Sequence, residues 1–297
     1  MSKNHGALPD SLLHQMIEVG FIKGAEKKHV GPASIDLCIS DEIYRVSGMF
    51  QPRIGETIKS LLGRLDVRTH GIGMPFEHDV VYLARLRESL TLPRSVYGYC
   101  NPKSSTGRHD VHVRILADGV PRYDAITPAG FSGELWAVIV SHSYPVVIHP
   151  SEPLSQLRLF NADTRISEEE LEIAFKRDKI LWTLQGELIQ YRDMAIREND
   201  GSVILTLDLQ SKNVGYEYLG RQRILDFSNG KKAYDASDFF AQLKPEDGRV
   251  FLRRGGFYIL STTEAVRVPP TLACEMVPMD ERSGEFRSHY AGFIDPG

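Results

Sequence analysis

Two cations flank a pair of hydroxyl side chains in one short stretch of the chain. The stretch reads Lys103-Ser104-Ser105-Thr106-Gly107-Arg108. Hydroxyl groups donate hydrogen bonds at short range, and ammonium and guanidinium groups offset negative charge, so this combination suits a bound phosphate. Because hydroxyl-rich stretches are more often turns or helix caps, the stretch indicates a phosphate site only together with the elements around it.

The composition describes an ordinary globular protein rather than a nucleic-acid binder. Of 297 residues, 42% are hydrophobic and 25% are charged, which supplies enough apolar material for a core. The formal net charge is −4, whereas proteins that bind nucleic acids usually carry a basic surface. We therefore expect no nucleic-acid partner, although a local group of cations could bind a small anion.

The N-terminal sequence and the cysteines indicate a cytoplasmic protein. No charged segment followed by an apolar run is visible at the start, and no stretch reaches the roughly 18 apolar residues of a membrane span. Cys38, Cys100 and Cys274 are far apart and form no C-x-x-C pair, so neither a disulfide framework nor a cysteine zinc site is indicated. We expect free, buried thiols and no membrane partner.

Residues 1–162 are expected to form a mainly β domain. Helical spacing of apolar residues predicts a helix over 9–22. Short strands are then predicted at 33–39, 42–46, 80–86, 95–100 and 134–140, with two more between 144 and 160. Many short strands separated by Gly and Pro turns, with few helices, are typical of a β-barrel or jelly roll.

Residues 163–297 repeat the order of the first half at an offset of about 175–180 residues. Ser167 and Glu170 form a capping box that opens a helix extending to about Leu181. Further segments correspond in order: 203–209 to 33–39, 257–269 to 81–93, 282–287 to 103–108, and 294–297 to 126–130. We infer two copies of one β domain, at 1–162 and 163–297, and expect the second copy to be C-terminally incomplete.

The ordered motifs resemble those of the dCTP deaminase/dUTPase superfamily. Ser-Ser-x-x-Arg at 104–108 is followed by Ile-Thr-Pro-Ala-Gly-Phe-Ser-Gly at 126–133, a strand, and a closing Ser-Gln-Leu at 155–157. With its tandem duplication, the chain is most similar to the two-domain bacterial 2′-deoxycytidine 5′-triphosphate deaminases. The resemblance covers nearly the whole chain, and the ordered combination is more specific than any single motif.

The resemblance implies two tandem dUTPase-like β-barrel domains, jelly-roll-like and with short helices. It implies an enzyme that hydrolyses dCTP to dUTP and ammonia, with Mg²⁺ bound to the triphosphate and no zinc. It also implies a homo-oligomer, a trimer or a related assembly, with active sites between subunits, and feedback by dTTP.

The site residues that the resemblance implies lie in both copies. Phosphate contacts would come from Lys103, Ser104, Ser105, Arg108, Arg282 and Ser283. Roles in catalysis would fall on Ser104, Arg108, Ser283, Arg287 and Asp295, with Asp295 as an acid near the sugar and base. Two aromatic residues follow the Pro-Ala-Gly turn: Phe131 could stack on the base or pack in the core, and Trp136 is expected to pack.

Two positions of the first copy depart from the family pattern. The deaminases carry a catalytic glutamate on the strand after the Gly-aromatic-Ser-Gly motif, at the position where this chain has Val138. Glu134 lies about 13 Å away along that strand and cannot replace it without a different geometry. Thr127 stands where the second copy has Asp295. We therefore expect the complete active site in the second copy, or shared between the copies, with part of it outside this sequence.

Other functions remain open at this point. A dUTPase or a bifunctional enzyme is compatible with Asp295, which could activate water near the sugar. A non-catalytic nucleotide-binding protein is also compatible, because duplicated domains often leave one copy inactive. Zinc-dependent deamination is disfavoured because the P-C-x-x-C motif is absent and four histidines lack a convincing ligand partner: His109, His112, His142 and His149. Metal-free deamination would need one carboxyl group of raised pKa to act as base and then acid.

Overall fold

The chain folds mainly as β-strands. The computed structural model describes residues 6–194, 200–220, 223–229, 234–277 and 292–297. Helices within these ranges are α1 (Asp10–Val19), α2 (Ile58–Leu62), α3 (Ser104–Gly107) and α4 (Glu168–Asp178). No helix in the described part of the chain is long and apolar enough to cross a membrane.

The strands divide between the two halves of the chain. Those of the first half are β1 (Ile22–Lys23), β2 (Ile35–Val46), β3 (Val67–Thr69), β4 (Val81–Thr91), β5 (Tyr97–Pro102), β6 (Val111–Ala117), β7 (Ala125–Ile126), β8 (Ser132–Ser141), β9 (Val146–Val147) and β10 (Pro153–Phe160). Those of the second half are β11 (Leu181–Thr183), β12 (Gly215–Tyr218), β13 (Leu225–Asp226), β14 (Phe240–Leu243), β15 (Tyr258–Leu260), β16 (Glu264–Val266), β17 (Cys274–Glu275) and β18 (Phe293–Ile294).

A nine-stranded antiparallel sheet dominates the first half. Its strands follow the order β6-β8-β4-β2-β10-β5-β7, with β1 beside β4 and β3 beside β2. The two ends of this order meet at Asp124, whose N–H donates to the carbonyl of Ile115 at 2.8 Å. The Ile115 N–H in turn donates to Asp124 Oδ1, also at 2.8 Å. The sheet is therefore a nearly closed barrel, as the sequence predicts.

Strand β8 is buried on both faces. Leu135 and Ala137 belong to the barrel core, whereas Trp136 and Val138 belong to a second cluster outside the barrel. Residues of α2 complete this outer cluster, which we call the outer core. Burial on both faces explains why the sequence of β8 is continuously apolar rather than alternating. The predicted packing role of Trp136 is confirmed, since its side chain is fully buried.

The second half repeats three strand pairs of the first half. The pairing of β1 with β4 after α1 recurs as β11 with β16 after α4. The β2–β4 pair recurs as β12–β15, and the β5–β7 pair recurs as β17–β18. The described residues of this half form a three-stranded sheet, β14-β12-β15, and short strand pairs rather than a closed barrel. These pairs support the predicted repeat, while its boundary after residue 162 stays a prediction.

Two strand predictions differ from the structure. Residues 33–39 and 42–46, predicted as a hairpin, belong to one long strand, β2, because its register against β4 shifts between Ile39 and Ile43. An irregularity of this kind absorbs extra residues without reversing the chain. Residues 203–209, predicted as a strand, form only one isolated bridge. Asp208 accepts hydrogen bonds from the N–H groups two and three residues ahead and so stabilises a turn there.

The second half packs against the first barrel. Strand β13 pairs in parallel with β9, and Leu225 and Phe239 join the hydrophobic cluster of the barrel. The Tyr218 hydroxyl donates to the carbonyl of Ser143. The second copy therefore adds residues to the hydrophobic core of the first, while residues around α4 form a separate cluster.

Glu88 is a carboxylic acid buried on β4. Its side chain is 2% exposed, and Oε2 accepts a hydrogen bond from the Cys38 N–H at 3.1 Å. Burial raises the pKa of Glu88 to about 7, and the Cys38 N–H and the nearby Arg87 only partly oppose this effect. Burial likewise raises the pKa of the Cys38 thiol to about 12. The folded protein thus holds at least one acid that titrates near neutral pH.

The stability of the protein should carry a pH-dependent contribution from Glu88. Its folded pKa of about 7 lies above its ordinary value of 4.5, so the folded state binds more protons between these values. The contribution is complete below pH about 4.5 and is lost as the pH rises through 7, with a magnitude of about 3 kcal/mol. We expect the free energy of unfolding of Glu88→Gln, relative to the native chain, to rise by this amount between pH 5 and 8. Urea unfolding of both proteins across that range tests it, and a difference that does not change with pH would contradict it.

Candidate active site

Helix α3 presents the predicted phosphate-binding side chains at the end of β5. The Gly107 and Arg108 N–H groups donate to the carbonyls of Lys103 and Ser104, both at 3.0 Å, and close one helical turn. The side chains of Ser104, Ser105 and Arg108 are exposed, whereas Thr106 and Gly107 are buried against the barrel. The structure therefore brings two hydroxyls and one guanidinium together on one exposed turn.

Lys103 forms an ion pair with Asp36. Its Nζ lies 2.5 Å from Asp36 Oδ2, and both side chains are mostly buried, with 23% and 19% of their surface exposed. A phosphate that used Lys103 would share its charge with this carboxylate. Asp36 thus belongs to a local polar network.

A row of polar side chains crosses the outside of the barrel next to α3. Asp36 on β2 is in register with Gln156 on β10, which is in register with Asn101 on β5. The residues that alternate with them, Leu37, Leu157 and Cys100, lie in the barrel core, so the polar side chains point outward. Gln156 Nε2 lies 3.5 Å from Ser34 Oγ, which extends this polar row.

The C-terminal end of the second copy covers the polar row. Asp295, directly after β18, accepts hydrogen bonds at 3.0 Å from the Ala33 N–H and from Ser34 Oγ. A Cβ at Gly292 would lie 3.6 Å from Ser104 Cβ, so the backbone before β18 runs beside α3. The structure therefore brings Asp295 of the second copy to the same region as Ser104 of the first. Arg282, Ser283 and Arg287 lie outside the described residues.

Phe131 and Val138 of the first copy are both buried. Phe131 is 7% exposed and belongs to the barrel core, so packing is its role in this conformation, and stacking on a base stays a prediction. Val138 is 2% exposed and packs in the outer core beneath α2. The first copy therefore presents no acid at this position, where Val138 packs in an apolar cluster and is in register with Arg114 on β6.

Three of the histidines considered as metal ligands, His109, His142 and His149, have local partners. His109 Nδ1 lies 2.7 Å from the carbonyl of Ser105, and burial lowers the pKa of its ring. His142 contacts Asp79, and His149 contacts Asp226. Among the residues that the structure describes, no group of three His, Cys, Asp or Glu side chains could hold a metal ion.

Arg108 and Ser105 also face a cavity of about 340 Å³ at the junction of the two copies. Tyr216, Phe240 and Ile259 of the second copy form its largely apolar wall. No carboxylate in the described ranges pairs with Arg108. Its guanidinium is therefore available to an anionic ligand.

Sequence reasoning did not identify Asn101, Arg158 and Glu275, which join the copies beside the site. Arg158 is 6% exposed and pairs with Glu275 at 2.9 Å, and Asn101 Nδ2 donates to the same carboxylate at 2.7 Å. The alternation of β10 places Arg158 among the outward side chains, and this was the one feature of the sequence that could have identified it. It could not show that the second copy buries that face.

Val138→Glu should destabilise the protein rather than restore a first-copy active site. A carboxylate in the outer core would lose its hydration, and Arg114, which is in register with Val138 on β6, already pairs with Asp124. We therefore expect the free energy of unfolding to fall by about 3 kcal/mol or more. Val138→Ile, which stays apolar, should cost less than about 1.5 kcal/mol. Chemical unfolding measures both. A Val138→Glu protein of native stability with faster deamination would show that this position accepts a catalytic glutamate.

Comparison with known proteins identifies the family of the chain. Residues 4–163 match the family model of the 2′-deoxycytidine 5′-triphosphate deaminase N-terminal domain, and residues 177–297 match that of the C-terminal domain. The crystal structure of 2′-deoxycytidine 5′-triphosphate deaminase from Agrobacterium tumefaciens is 32% identical, with a TM-score of 0.87 over 98% of this chain and 86% of that chain. No curated protein matches. The chain belongs to the 2′-deoxycytidine 5′-triphosphate deaminase family.

Proposed function

We propose that the chain hydrolyses dCTP to dUTP and ammonia at a site that its two copies share. Membership of the deaminase family supports the reaction. The location rests on one observation, which is that the second copy's segment 292–295 lies on the first copy beside α3. Gly292 runs beside Ser104, and Asp295 binds Ala33 and Ser34.

The reaction needs a water molecule to attack C4 of the cytosine ring. A base takes the proton of the water, the bond from C4 to the exocyclic nitrogen breaks, and an acid protonates the departing amine. One carboxyl group can perform both proton transfers when its surroundings raise its pKa. In the first copy Val138 occupies the family's position for that group, so we propose that the carboxyl group comes from elsewhere than β8 of the first copy.

The exposed turn of α3 would bind the triphosphate. Ser104 and Ser105 offer hydroxyl donors, and Arg108 offers a planar guanidinium that can form two parallel hydrogen bonds to a phosphate. Lys103 would contribute charge while it remains paired with Asp36. Asp295, held by two donors, would contact the sugar or the base.

Mg²⁺ fits this set of residues as a companion of the triphosphate. The exposed turn of α3 offers hydroxyls and cations, which bind phosphate oxygens rather than a cation. Mg²⁺ commonly binds through substrate phosphates and water with few protein ligands. Bound in this way, it would neutralise part of the triphosphate charge.

Three further properties extend the proposal. The family resemblance supports a homo-oligomer, a trimer or a related assembly, and a cytoplasmic location. It also supports regulation by dTTP, which could use the same phosphate contacts because it carries the same triphosphate as dCTP.

Incubation with dCTP and Mg²⁺, with ammonia and pyrophosphate measured together, tests the reaction. We expect ammonia without pyrophosphate, because the proposed reaction breaks only the C–N bond. Both products would indicate a bifunctional enzyme, and pyrophosphate alone would indicate a dUTPase-like hydrolase. Neither product, with dCTP still bound, would leave a nucleotide-binding protein and refute the enzymatic proposal.

Arginine variants test whether the first copy takes part. If α3 binds the triphosphate, Arg108→Ala should lower kcat/KM about 10²-fold, since a charge-assisted hydrogen bond contributes roughly 1.5–3 kcal/mol. Arg287→Ala probes the corresponding motif of the second copy. Arg165→Ala, which removes an exposed arginine paired only with Asp163, is the matched control and should have native kinetics. A loss with Arg287→Ala but not with Arg108→Ala would show that the first copy has no part in the site.

A further inference from the structure

Three polar side chains form a closed ring between the barrel and the second copy. Arg158 Nη2 donates to Asn101 Oδ1 and lies 2.9 Å from Glu275 Oε1. Asn101 Nδ2 completes the ring by donating to the same Glu275 oxygen at 2.7 Å. Arg158 and Asn101 are 6% and 5% exposed, although both point away from the barrel core. We call these residues the junction triad.

The burial of Arg158 depends on residues of the second copy. The guanidinium carbon lies 4.5 Å from the centroid of the Phe293 ring, so this ring covers the charge. A buried guanidinium is costly unless a carboxylate and further hydrogen bonds satisfy it. Glu275 and Asn101 provide these partners. The triad therefore favours one position of the β17–β18 pair on the barrel.

The β17–β18 pair connects the triad to Asp295. Glu275 is in register with Phe293 across the two strands, and Asp295 follows two residues later. Asp295 is then held at its other side by the Ala33 N–H and by Ser34. The backbone that carries Asp295 is thus fixed by the triad on one side and by residues 33–34 on the other.

We propose that Arg158 and Asn101, acting through Glu275, are positioning residues that place Asp295 for deamination. The inference rests on the proposed function, because it assumes that Asp295 contacts the substrate. Displacing a catalytic group by about 1 Å can slow a reaction by about 10²-fold. The triad would therefore contribute to the rate without touching dCTP, whose triphosphate binds on α3.

Hydrogen exchange of the Ala33 amide measures the position of Asp295 without any activity. Because this N–H donates to Asp295 Oδ1, we expect Arg158→Met to accelerate its exchange about tenfold or more, as Asp295→Ala would. Arg85→Met is the matched control, since it breaks an ion pair of 2.6 Å with Glu42 on the same barrel away from the junction. Unchanged protection of Ala33 in Arg158→Met would overturn the proposal.

A kinetic cycle then tests whether the triad acts through Asp295. We expect Arg158→Met to lower kcat by about 10- to 100-fold and to change the Kd for dCTP less than about threefold, since α3 is intact. In the background of Asp295→Asn, the same substitution should have little further effect, because the two residues act as one unit. Additive losses would overturn the positioning role while leaving Asp295 in the site. A native rate for Asp295→Asn would instead refute the role that the proposed function gives Asp295, and the positioning role with it.

Milder variants keep the test valid if Arg158→Met unfolds. Glu275→Gln retains an acceptor for Asn101 but removes the charge that pairs with Arg158, and Arg158→Lys retains the charge but not the planar fork. Both should give kcat values between those of the native protein and Arg158→Met. Their secondary structure should remain that of the native protein. Native kcat in both, with Ala33 protection unchanged, would overturn the proposal.

Discussion

The structure depends on satisfying polar side chains that the first barrel presents on its outer surface. Arg158 and Asn101 are buried, although the alternation of their strands turns them away from the core. Their charge and hydrogen-bonding groups would be unfavourable there without the carboxylate of Glu275. The second copy therefore supplies the carboxylate that pairs with the buried guanidinium of the first, and this pairing favours the observed position of β17 and β18.

This packing distributes the candidate site over both copies. The first copy contributes hydroxyls and a guanidinium on α3, and the second contributes Asp295, which reaches the first copy at Ala33 and Ser34. Meanwhile the first copy uses the outer face of β8, where the family places its glutamate, to pack Val138 under α2. Under the proposed function, the first copy would combine phosphate binding with structural support while the second would provide Asp295.

Much of the barrel was predictable because its strands have clear local signals. Residues that favour β-strands marked β4, β8 and β10, and the capping box marked α4, whose Ser167 and Glu170 bonds both form. Where the local signal was ambiguous, prediction failed. The residues between 39 and 43 have the composition of a turn but form an irregularity within β2, since a shifted register on β4 accommodates them.

The sequence by itself determined most strands of the first half, the repeat and the motif that places cations and hydroxyls on α3, because these follow from local periodicity and spacing. The tertiary structure alone decided that Lys103 pairs with Asp36, that Asp295 lies on the opposite copy, and that the junction triad is buried. Each of these contacts joins residues at least 57 positions apart in sequence, and the shortest of these separations is that of Arg158 and Asn101. No local pattern encodes such distances, since they depend on how the two copies pack to bury their polar groups.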